Sequence, residues 1–255
     1  MVNILAIGDV VGENGLNYLS RTLRSLQREY NADFTVVNGE NARGRGLLPP
    51  DAEEIFSAGA DVITLGNHAY SKREICNYLD ETRNIIRPAN FAAAAPGVGE
   101  CIAEAPFGSV RVICLIGRKD LDYAPENPFT TADRLLAKSS AAVTLIDFHA
   151  EATSEKKALG WYLDGKVSAL WGTHTHVQTS DARVLPGGTG YITDLGMTGP
   201  SDSVIGMDVQ QSVNMFLGLP KDHYRAASGV CVIEGAVFSV DERSGKCSSV
   251  QAFRK

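Results

Sequence analysis

Two histidines one residue apart, His174 and His176, follow a short apolar run in the stretch WGTHTHVQT at 171–179. The whole chain has five histidines, so this pair concentrates imidazole at one point. Imidazole nitrogens are common ligands of zinc, iron and related ions. Residues i and i+2 point the same way on an extended segment, which predicts that the two rings reach two neighbouring ions.

Polar side chains with similar ligand chemistry follow four other apolar runs. They are Asp9 after NILAI, Glu40 and Asn41 after FTVV, Asn67 and His68 after DVITL, and His149 after AVTLID. Ligands of open α/β sheets bind beyond the carboxyl ends of the strands, so these strand ends predict one site at one sheet edge. The fifth histidine, His223, has no such setting and is interpreted as a surface residue.

Nitrogen and oxygen ligands without a thiolate suit manganese, iron, zinc or cobalt. Six or more of them exceed the four of one tetrahedral ion and favour two ions that share a bridging carboxylate, ~3.5–4 Å apart. Each residue alone also has an ordinary structural role, with Asp9 as a helix cap, Asn67 in a turn and His149 as a hydrogen-bonded core residue. The metal hypothesis therefore depends on their joint pattern.

The elements that must position these residues alternate in type. Predicted strands cover 3–7, 34–37, 61–65, 111–116, 142–147 and 167–170, and predicted helices cover 15–30, 51–58, 72–81 and 155–163, the last stopped by Gly165. This alternation is typical of an α/β fold with a largely parallel sheet. The tail reads as a helix near 208–217 among strands at 190–193, 229–240 and 248–253, either antiparallel or in a second sheet. No linker or repeat interrupts the chain, which predicts one domain over 1–255.

Composition narrows the classes of partner. The chain has 255 residues, is 44% hydrophobic and carries a formal net charge of −6, which gives no basic face for nucleic acid or an anionic membrane. A small phosphorylated substrate stays compatible, because a bound metal reverses the local potential. No apolar run approaches the ~20 residues that span a bilayer, and the first residues do not read as a signal peptide. Five scattered cysteines without a CxxC spacing predict free thiols and a cytoplasmic location.

The ordered motifs resemble those of a known superfamily. The series GD at 8–9, the acid at 40, GNH at 66–68, the histidine at 149 and GTHTH at 172–176 resembles the calcineurin-like metallophosphoesterases. The stretches NGENARG, DFHAEATSEK, GTHTHVQT and DLGMTGPSDSVIGMD are similar, more narrowly, to the bacterial YmdB-type metallophosphoesterases. This resemblance implies a four-layer αββα sandwich, with the tail supplying much of the second sheet.

The resemblance also implies a site. Asp9, Asn41 and His176 would hold one metal, Asn67, His149 and His174 a second, Glu40 would bridge the two, and His68 would be the catalytic histidine. The implied reaction is phosphoester hydrolysis by a metal-bridging hydroxide, with 2′,3′-cyclic nucleotides as the leading substrates. Iron or manganese is favoured as the metal, with zinc or magnesium as alternatives, and a homo-oligomer is compatible with the family.

Two departures from the wider superfamily are visible. The first motif there is DxH, but Val11 occupies the histidine position here, and Asn41 stands in as a ligand. A neutral amide oxygen is a harder ligand than imidazole, which favours iron, manganese or magnesium at that position. The GNH motif is followed by Ala69-Tyr70-Ser71, where YmdB-type proteins usually end in Trp and Asp, so the support of His68 by neighbouring groups is changed.

Three other functions compete with a phosphodiesterase. A broad phosphomonoesterase and a non-catalytic regulatory scaffold or nucleotide sensor that keeps the metal site both stay open. A dinucleotide-binding oxidoreductase is disfavoured, because GDVVGENG has the spacing GxxxGxxG and not GxGxxG. No base-binding pocket is evident, since Tyr123, Phe129 and Tyr191 fit a base-stacking role or ordinary core packing.

Overall fold

A computed structural model describes residues 1–121, 125–138, 141–220 and 225–255. Its strands are β1 (Val2–Ile7), β2 (Asp9–Val10), β3 (Phe34–Asn38), β4 (Val62–Thr64), β5 (Ile85–Ile86), β6 (Glu100–Ala105), β7 (Gly108–Ile116), β8 (Val143–His149), β9 (Ala169–Thr173), β10 (Arg183–Val184), β11 (Gly190–Ile192), β12 (Met197–Pro200), β13 (Cys231–Val240) and β14 (Cys247–Arg254). Its helices are α1 (Gly12–Glu29), α2 (Pro49–Ala58), α3 (Ile75–Glu81), α4 (Pro128–Leu136), α5 (Thr153–Tyr162) and α6 (Val209–Phe216). Tyr123 and His223 lie outside the described residues.

The strands form two sheets. The first has the order β2-β12-β13-β1-β3-β4-β5, with β14 paired to β13. Its strands β1, β3, β4 and β5 are mutually parallel, while β13 runs antiparallel to β1. The second sheet has the order β10-β11-β9-β8-β7-β6, in which the four middle strands are parallel.

Apolar side chains place the two sheets face to face between helical layers. Alternate residues of β1 divide between two cores, because successive strand residues point to opposite faces. Ile4 packs between the sheets with Trp171 of β9, whereas Leu5 packs outward with α1, α2 and α3. On the far side, α4 and α5 cover the outer face of the second sheet, where Leu159 packs with Ile146. The resulting order of layers is αββα, as the resemblance implies.

Buried hydrogen bonds join the two sheets at the end where the parallel strands finish. Asp147 on β8 accepts hydrogen bonds from the Thr64 hydroxyl on β4 at 2.5 Å and from the Asn38 amide on β3 at 3.2 Å. All three residues are almost completely buried. The carboxyl ends of strands from both sheets are therefore held side by side.

The structure corrects several predictions. The tail does not supply much of the second sheet, since β13 and β14 belong to the first sheet and only β10 and β11 extend the second. The predicted helix at 15–30 begins earlier, at Gly12, and the one at 155–163 ends at Tyr162, before Gly165. The additional elements are helix α4 and strands β2, β5, β6, β10 and β12. None of the helices described here combines the length and apolar character needed to cross a membrane.

Candidate metal centre

The predicted site residues converge, but they come from two sheets and not from one sheet edge. The first sheet contributes Asp9 on β2, Glu40 and Asn41 beyond β3, and Asn67 and His68 beyond β4. The second sheet contributes His149 at the end of β8 and His174 and His176 beyond β9. Asp9 does not cap α1, because the residue before that helix is Val11.

The site has a buried floor and a partly exposed mouth. The side chains of Asp9, Glu40 and His149 are fully buried, whereas those of His68 and His174 are 24% and 18% exposed. Gly66 makes this floor compact, because an added Cβ would lie 2.3 Å from the His149 ring and 2.4 Å from the Glu40 carboxylate. A small molecule can thus reach the histidines from solvent while the carboxylates stay shielded.

Three atoms that carry lone pairs surround His149 Nε2. This nitrogen lies 2.8 Å from Asn67 Oδ1, 3.0 Å from His174 Nδ1 and 3.2 Å from Glu40 Oε1. Ligand atoms of Glu40, His149 and His174 all lie within 4.8 Å of one another. Such a convergence of acceptors requires a shared proton or a cation at its centre.

The other nitrogen of His149 fixes its tautomer. The Thr173 hydroxyl donates its proton to Asp147 Oδ1 at 2.7 Å and lies 3.0 Å from His149 Nδ1. Because that hydroxyl proton is already used, Thr173 accepts a hydrogen bond from Nδ1–H. The neutral ring then keeps a bare Nε2 facing the cluster, which is the arrangement of metal-ligating histidines.

His174 and His176 are oriented in the same manner. Glu151 lies 3.1 Å from His174 Nε2, and the Ile205 carbonyl lies 2.9 Å from His176 Nδ1. Each outer nitrogen therefore donates to an oxygen acceptor and leaves the inner nitrogen with a lone pair. In their neutral forms, the three imidazoles present bare nitrogens towards the buried carboxylates.

The backbone that carries these two rings is not extended. His174 has φ 99° and His176 has φ 61°, both in the left-handed region. The reasoning from an extended i, i+2 segment is therefore wrong, although the rings do reach different neighbours. Asp194 holds the intervening residue, since it accepts hydrogen bonds from the Thr175 hydroxyl at 2.6 Å and from the Thr175 amide at 3.3 Å. Lys156 lies 2.6 Å from the same carboxylate, and this ion pair is buried.

Asp9 carries the strongest sign of a missing partner. Its Oδ2 accepts a hydrogen bond from the His174 amide at 3.1 Å. Its Oδ1 is buried and has no hydrogen-bond partner among the described residues, although His176 Nε2 lies 3.7 Å away. A buried carboxylate oxygen without a partner is costly, and a cation beside it would remove that cost.

Asn41 contacts both sides of the site. Its amide nitrogen donates to Glu40 Oε1 at 3.0 Å and lies 3.3 Å from His176 Nε2, while its carbonyl oxygen lies 2.9 Å from His68 Nδ1. The ligand role implied for Asn41 requires rotation of the amide, so that the oxygen faces His176. That role stays a prediction.

The electrostatics show how crowded the ionisable groups are. Burial lowers the pKa of His149, but the Glu40 carboxylate overcomes this and raises it to about 9. Burial also raises the pKa of Glu40, while the positive charge on His149 pulls it well below its usual range. Burial raises the pKa of Asp9 to about 6. Burial and the charge on His149 lower the pKa of His174 to about 3, so His174 is neutral at pH 7.

These residues fit a metal site. They supply carboxylate groups and imidazole rings whose tautomers suit metal binding. One buried carboxylate oxygen has no hydrogen-bond partner among the described residues. The acceptor atoms around His149 also outnumber the protons available to them. Sequence reasoning missed the supporting groups Thr173, Asp147, Glu151, Asp194 and Lys156.

The unusual residues after His68 have structural roles, since Ala69 is buried in the core and the Tyr70 hydroxyl donates to the Pro96 carbonyl at 2.7 Å.

Known structures define the class of protein. The fold is shared with a putative 5′-nucleotidase of Staphylococcus aureus, with a TM-score of 0.63 at 14% identity over 98% of this chain and 54% of that chain. A structure described as a novel phosphatase of Mycoplasma pneumoniae matches with a TM-score of 0.94 at 32% identity, over 100% of this chain and 93% of that chain. The fold is that of a metallophosphoesterase-type protein.

Sequence comparison narrows the class to one family. The chain belongs to the YmdB-like protein family, whose model matches residues 5–253. A protein of Bacillus subtilis (strain 168) named 2′,3′-cyclic-nucleotide 2′-phosphodiesterase is 43% identical over 253 residues, which are 98% of this chain and 96% of that protein. The resemblance seen in the motifs is confirmed.

Proposed function

We propose that this protein is a metal-dependent phosphodiesterase that hydrolyses 2′,3′-cyclic nucleotides. The observation that carries the proposal is the meeting of imidazole nitrogens with buried carboxylates at a partly exposed mouth. The B. subtilis relative, similar over nearly its whole length, is named for this activity. Phosphodiester hydrolysis needs a cation to neutralise the phosphoryl charge, and the site offers the ligands for one.

The residues divide into two sets of ligands in this proposal. Asp9, Asn41 and His176 hold one ion, Asn67, His149 and His174 hold the other, and Glu40 lies between them. When bound, such ions activate water at neutral pH and stabilise negative charge on the phosphoryl oxygens. Iron or manganese is the favoured metal, because the amide oxygen of Asn41 is a harder ligand than the imidazole it replaces.

His68 is the proposed catalytic residue. Its backbone amide donates to Glu40 Oε2 at 3.1 Å, and its Nδ1 lies 2.9 Å from Asn41. These contacts leave Nε2 for the substrate at the mouth of the site. There His68 hydrogen-bonds the phosphoryl group and delivers a proton to the leaving sugar oxygen, a role worth ~10²–10⁴-fold in rate.

Free thiols agree with a reducing compartment, which supports our proposal that the protein acts in the cytoplasm. All five cysteines are unpaired, and burial raises the pKa of the Cys114 thiol well above its usual value. Buried thiols of this kind are structural and do not react readily.

The deciding experiment separates metal binding from catalysis. The metal-stripped protein is refilled with Mn, Fe, Zn or Mg, and hydrolysis of 2′,3′-cyclic AMP is followed by chromatography of the nucleotide products. We expect metal-dependent turnover that His68→Ala lowers ~10²–10⁴-fold at nearly full metal content. His174→Ala should lose both metal and turnover, because it removes a ligand.

Three results would contradict the proposal. Faster turnover of p-nitrophenyl phosphate than of cyclic AMP would favour a broad phosphomonoesterase. Two bound ions without turnover of either substrate would favour a regulatory scaffold or nucleotide sensor. Equal metal loss in His68→Ala and His174→Ala would refute the division of roles.

A further inference from the structure

Phe129 and Tyr191, the two described aromatic residues that could stack on a base, are packed in other contacts. Tyr191 is only 3% exposed and belongs to the core beneath α5. Phe129 packs edge-on against Tyr162, with ring centroids 5.3 Å apart. Recognition of a nucleoside must therefore use other residues around the exposed histidines.

A tight turn at 204–207 lies against His176, the proposed ligand next to Asp9. Val204 and Met207 exchange two backbone hydrogen bonds, at 3.0 and 2.9 Å, around the central residues Ile205 and Gly206. Both central residues have positive φ, 50° and 93°. Two-residue turns of this kind strongly favour Asn-Gly, and a β-branched residue with positive φ is a steric outlier.

The surroundings hold this strained turn in place. The Gly206 carbonyl accepts a hydrogen bond from the Ala227 amide at 2.9 Å. A Cβ on Gly206 would lie 2.4 Å from Val11 Cγ1, so the turn packs directly on the segment that follows Asp9. The conformation is thus fixed by the fold and not by the preference of Ile205.

Ile205 contacts the site through its backbone and exposes its side chain to solvent next to that contact. Its carbonyl accepts the hydrogen bond from His176 Nδ1 at 2.9 Å. Its side chain is 48% exposed, and that of Val177, the residue after His176, is 60% exposed. Both residues adjoin His176, Ile205 through this hydrogen bond and Val177 through the chain.

From this geometry we infer that Ile205 is a specificity residue, whose side chain packs against the nucleoside of the bound cyclic nucleotide. The inference rests on the proposed function and names the part of the substrate that this rim recognises. The carbonyl alone would orient His176 equally well from Asn or Gly, which adopt positive φ with less strain. A strained residue that persists where easier residues exist points to a use for its side chain.

The test uses variants that relieve the strain and remove the aliphatic group together. Ile205→Asn and Ile205→Gly should raise the thermal midpoint by roughly 2–4 °C. They should lower kcat/KM for 2′,3′-cyclic AMP roughly tenfold, mainly through KM, at unchanged metal content. Turnover of glycerol 1,2-cyclic phosphate, a cyclic diester without a nucleoside, should not change.

Ile102→Asn is the matched control. Ile102 is 49% exposed on β6, the edge strand of the second sheet, so the same chemical change is made without strain. It should leave kcat/KM for both substrates unchanged and should not raise the thermal midpoint.

Unchanged kcat/KM for cyclic AMP in the Ile205 variants would overturn the inference, as would an equal fall for both substrates. Loss of metal would also overturn it, because Ile205 would then serve only to support His176. A wild-type protein that binds metal but hydrolyses neither diester would refute the proposed function itself. Activity of the wild type with unaffected variants refutes the specificity role alone.

Discussion

His149 shows at the scale of one residue how the metal-free site is balanced. Its Nε2 faces the acceptor atoms of Glu40, Asn67 and His174. A proton on that nitrogen is held by the Glu40 carboxylate, which raises the pKa of His149 to about 9. In a metalloprotein the metal replaces this proton, because ligating imidazole must be neutral.

Metal binding should therefore release a proton from His149, and the number of protons released should depend on pH. At pH 7.5 the ring is mostly protonated, since its pKa in the metal-free protein is about 9. At pH 10 the ring is already neutral. We expect the number of protons released per chain to fall by about one between these two pH values, measured by titration calorimetry in buffers of different ionisation enthalpy.

The comparison of two pH values subtracts the protons released by any group whose ionisation does not change between them. His174, whose pKa is lowered to about 3, adds nothing in this range. Equal proton release at pH 7.5 and pH 10 would contradict the assignment of the shared proton to His149.

The free energy of unfolding of the metal-free protein should also depend on the protonation of His149. The folded-state pKa of His149 is raised above its usual 6.5, so its contribution to the free energy of unfolding is complete below about pH 6.5 and is lost as the pH rises through 9. That these polar residues converge could be predicted from strand ends, since polar side chains there follow apolar runs, whereas their roles as ligands stay a prediction. Thr173 and Asp147 could not, because their sequence setting resembles that of ordinary strand residues.

The loop after β9 determines whether two of the proposed ligands reach the site. His174 and His176 both have positive φ, which non-glycine residues adopt only when their surroundings impose it. Asp194 binds Thr175 between them and also accepts a hydrogen bond from the Gly196 amide at 2.9 Å. Lys156, on α5, neutralises Asp194 with its amine. One buried ion pair thus joins a helix to two loops at the site.

Lys156→Met should weaken both the fold and the site. Breaking a buried ion pair by removing one partner costs about 3–5 kcal/mol, which chemical denaturation would measure. The affinity for metal should fall roughly 10–100-fold, because Asp194 would no longer hold the loop with His174 and His176. Competition with a chelator, at a temperature where circular dichroism shows the variant folded, measures that affinity.

Arg111→Met is a suitable control for general destabilisation. Arg111 is also buried and pairs with Glu100, but it lies on β7 and its partner on the edge strand β6. It should lower the free energy of unfolding while leaving metal affinity unchanged. Loss of metal affinity to the same degree in both variants would refute the positioning role of Lys156.

Sequence patterns predicted most elements of the two parallel sets of strands, because buried parallel strands are continuous apolar runs between amphipathic helices. Strand β6 was not recognised, since polar Glu100 and Glu104 interrupt its apolar residues. The place of β13 beside β1 was also not predictable. Its apolar run indicates burial, but pairing between residues as distant as Val2 and Val240 leaves no local signal.

At the scale of the whole molecule, the site lies where residues of the two sheets meet. The family resemblance, and not the strand pattern, gave the four-layer arrangement, because periodicity does not tell which sheet a strand joins. Asp147 already connects the sheets by hydrogen bonds to Thr64 and Asn38. That residues 1–255 fold as one domain stays a prediction.

Metal binding should strongly stabilise the contact between the two sheets, because Asp9 and Glu40 come from one sheet and His149 and His174 from the other. A ligand that binds only the folded state at a hundred times its dissociation constant adds about 2.7 kcal/mol. For a chain of this size we expect the thermal midpoint to rise by roughly 5–10 °C when the stripped protein is refilled, measured by differential scanning calorimetry. His174→Ala should show a much smaller rise, since one sheet loses a ligand, whereas Ile102→Asn should show the full rise. A midpoint that stays constant on refilling, with metal shown to be bound, would mean that the ions do not connect the two sheets.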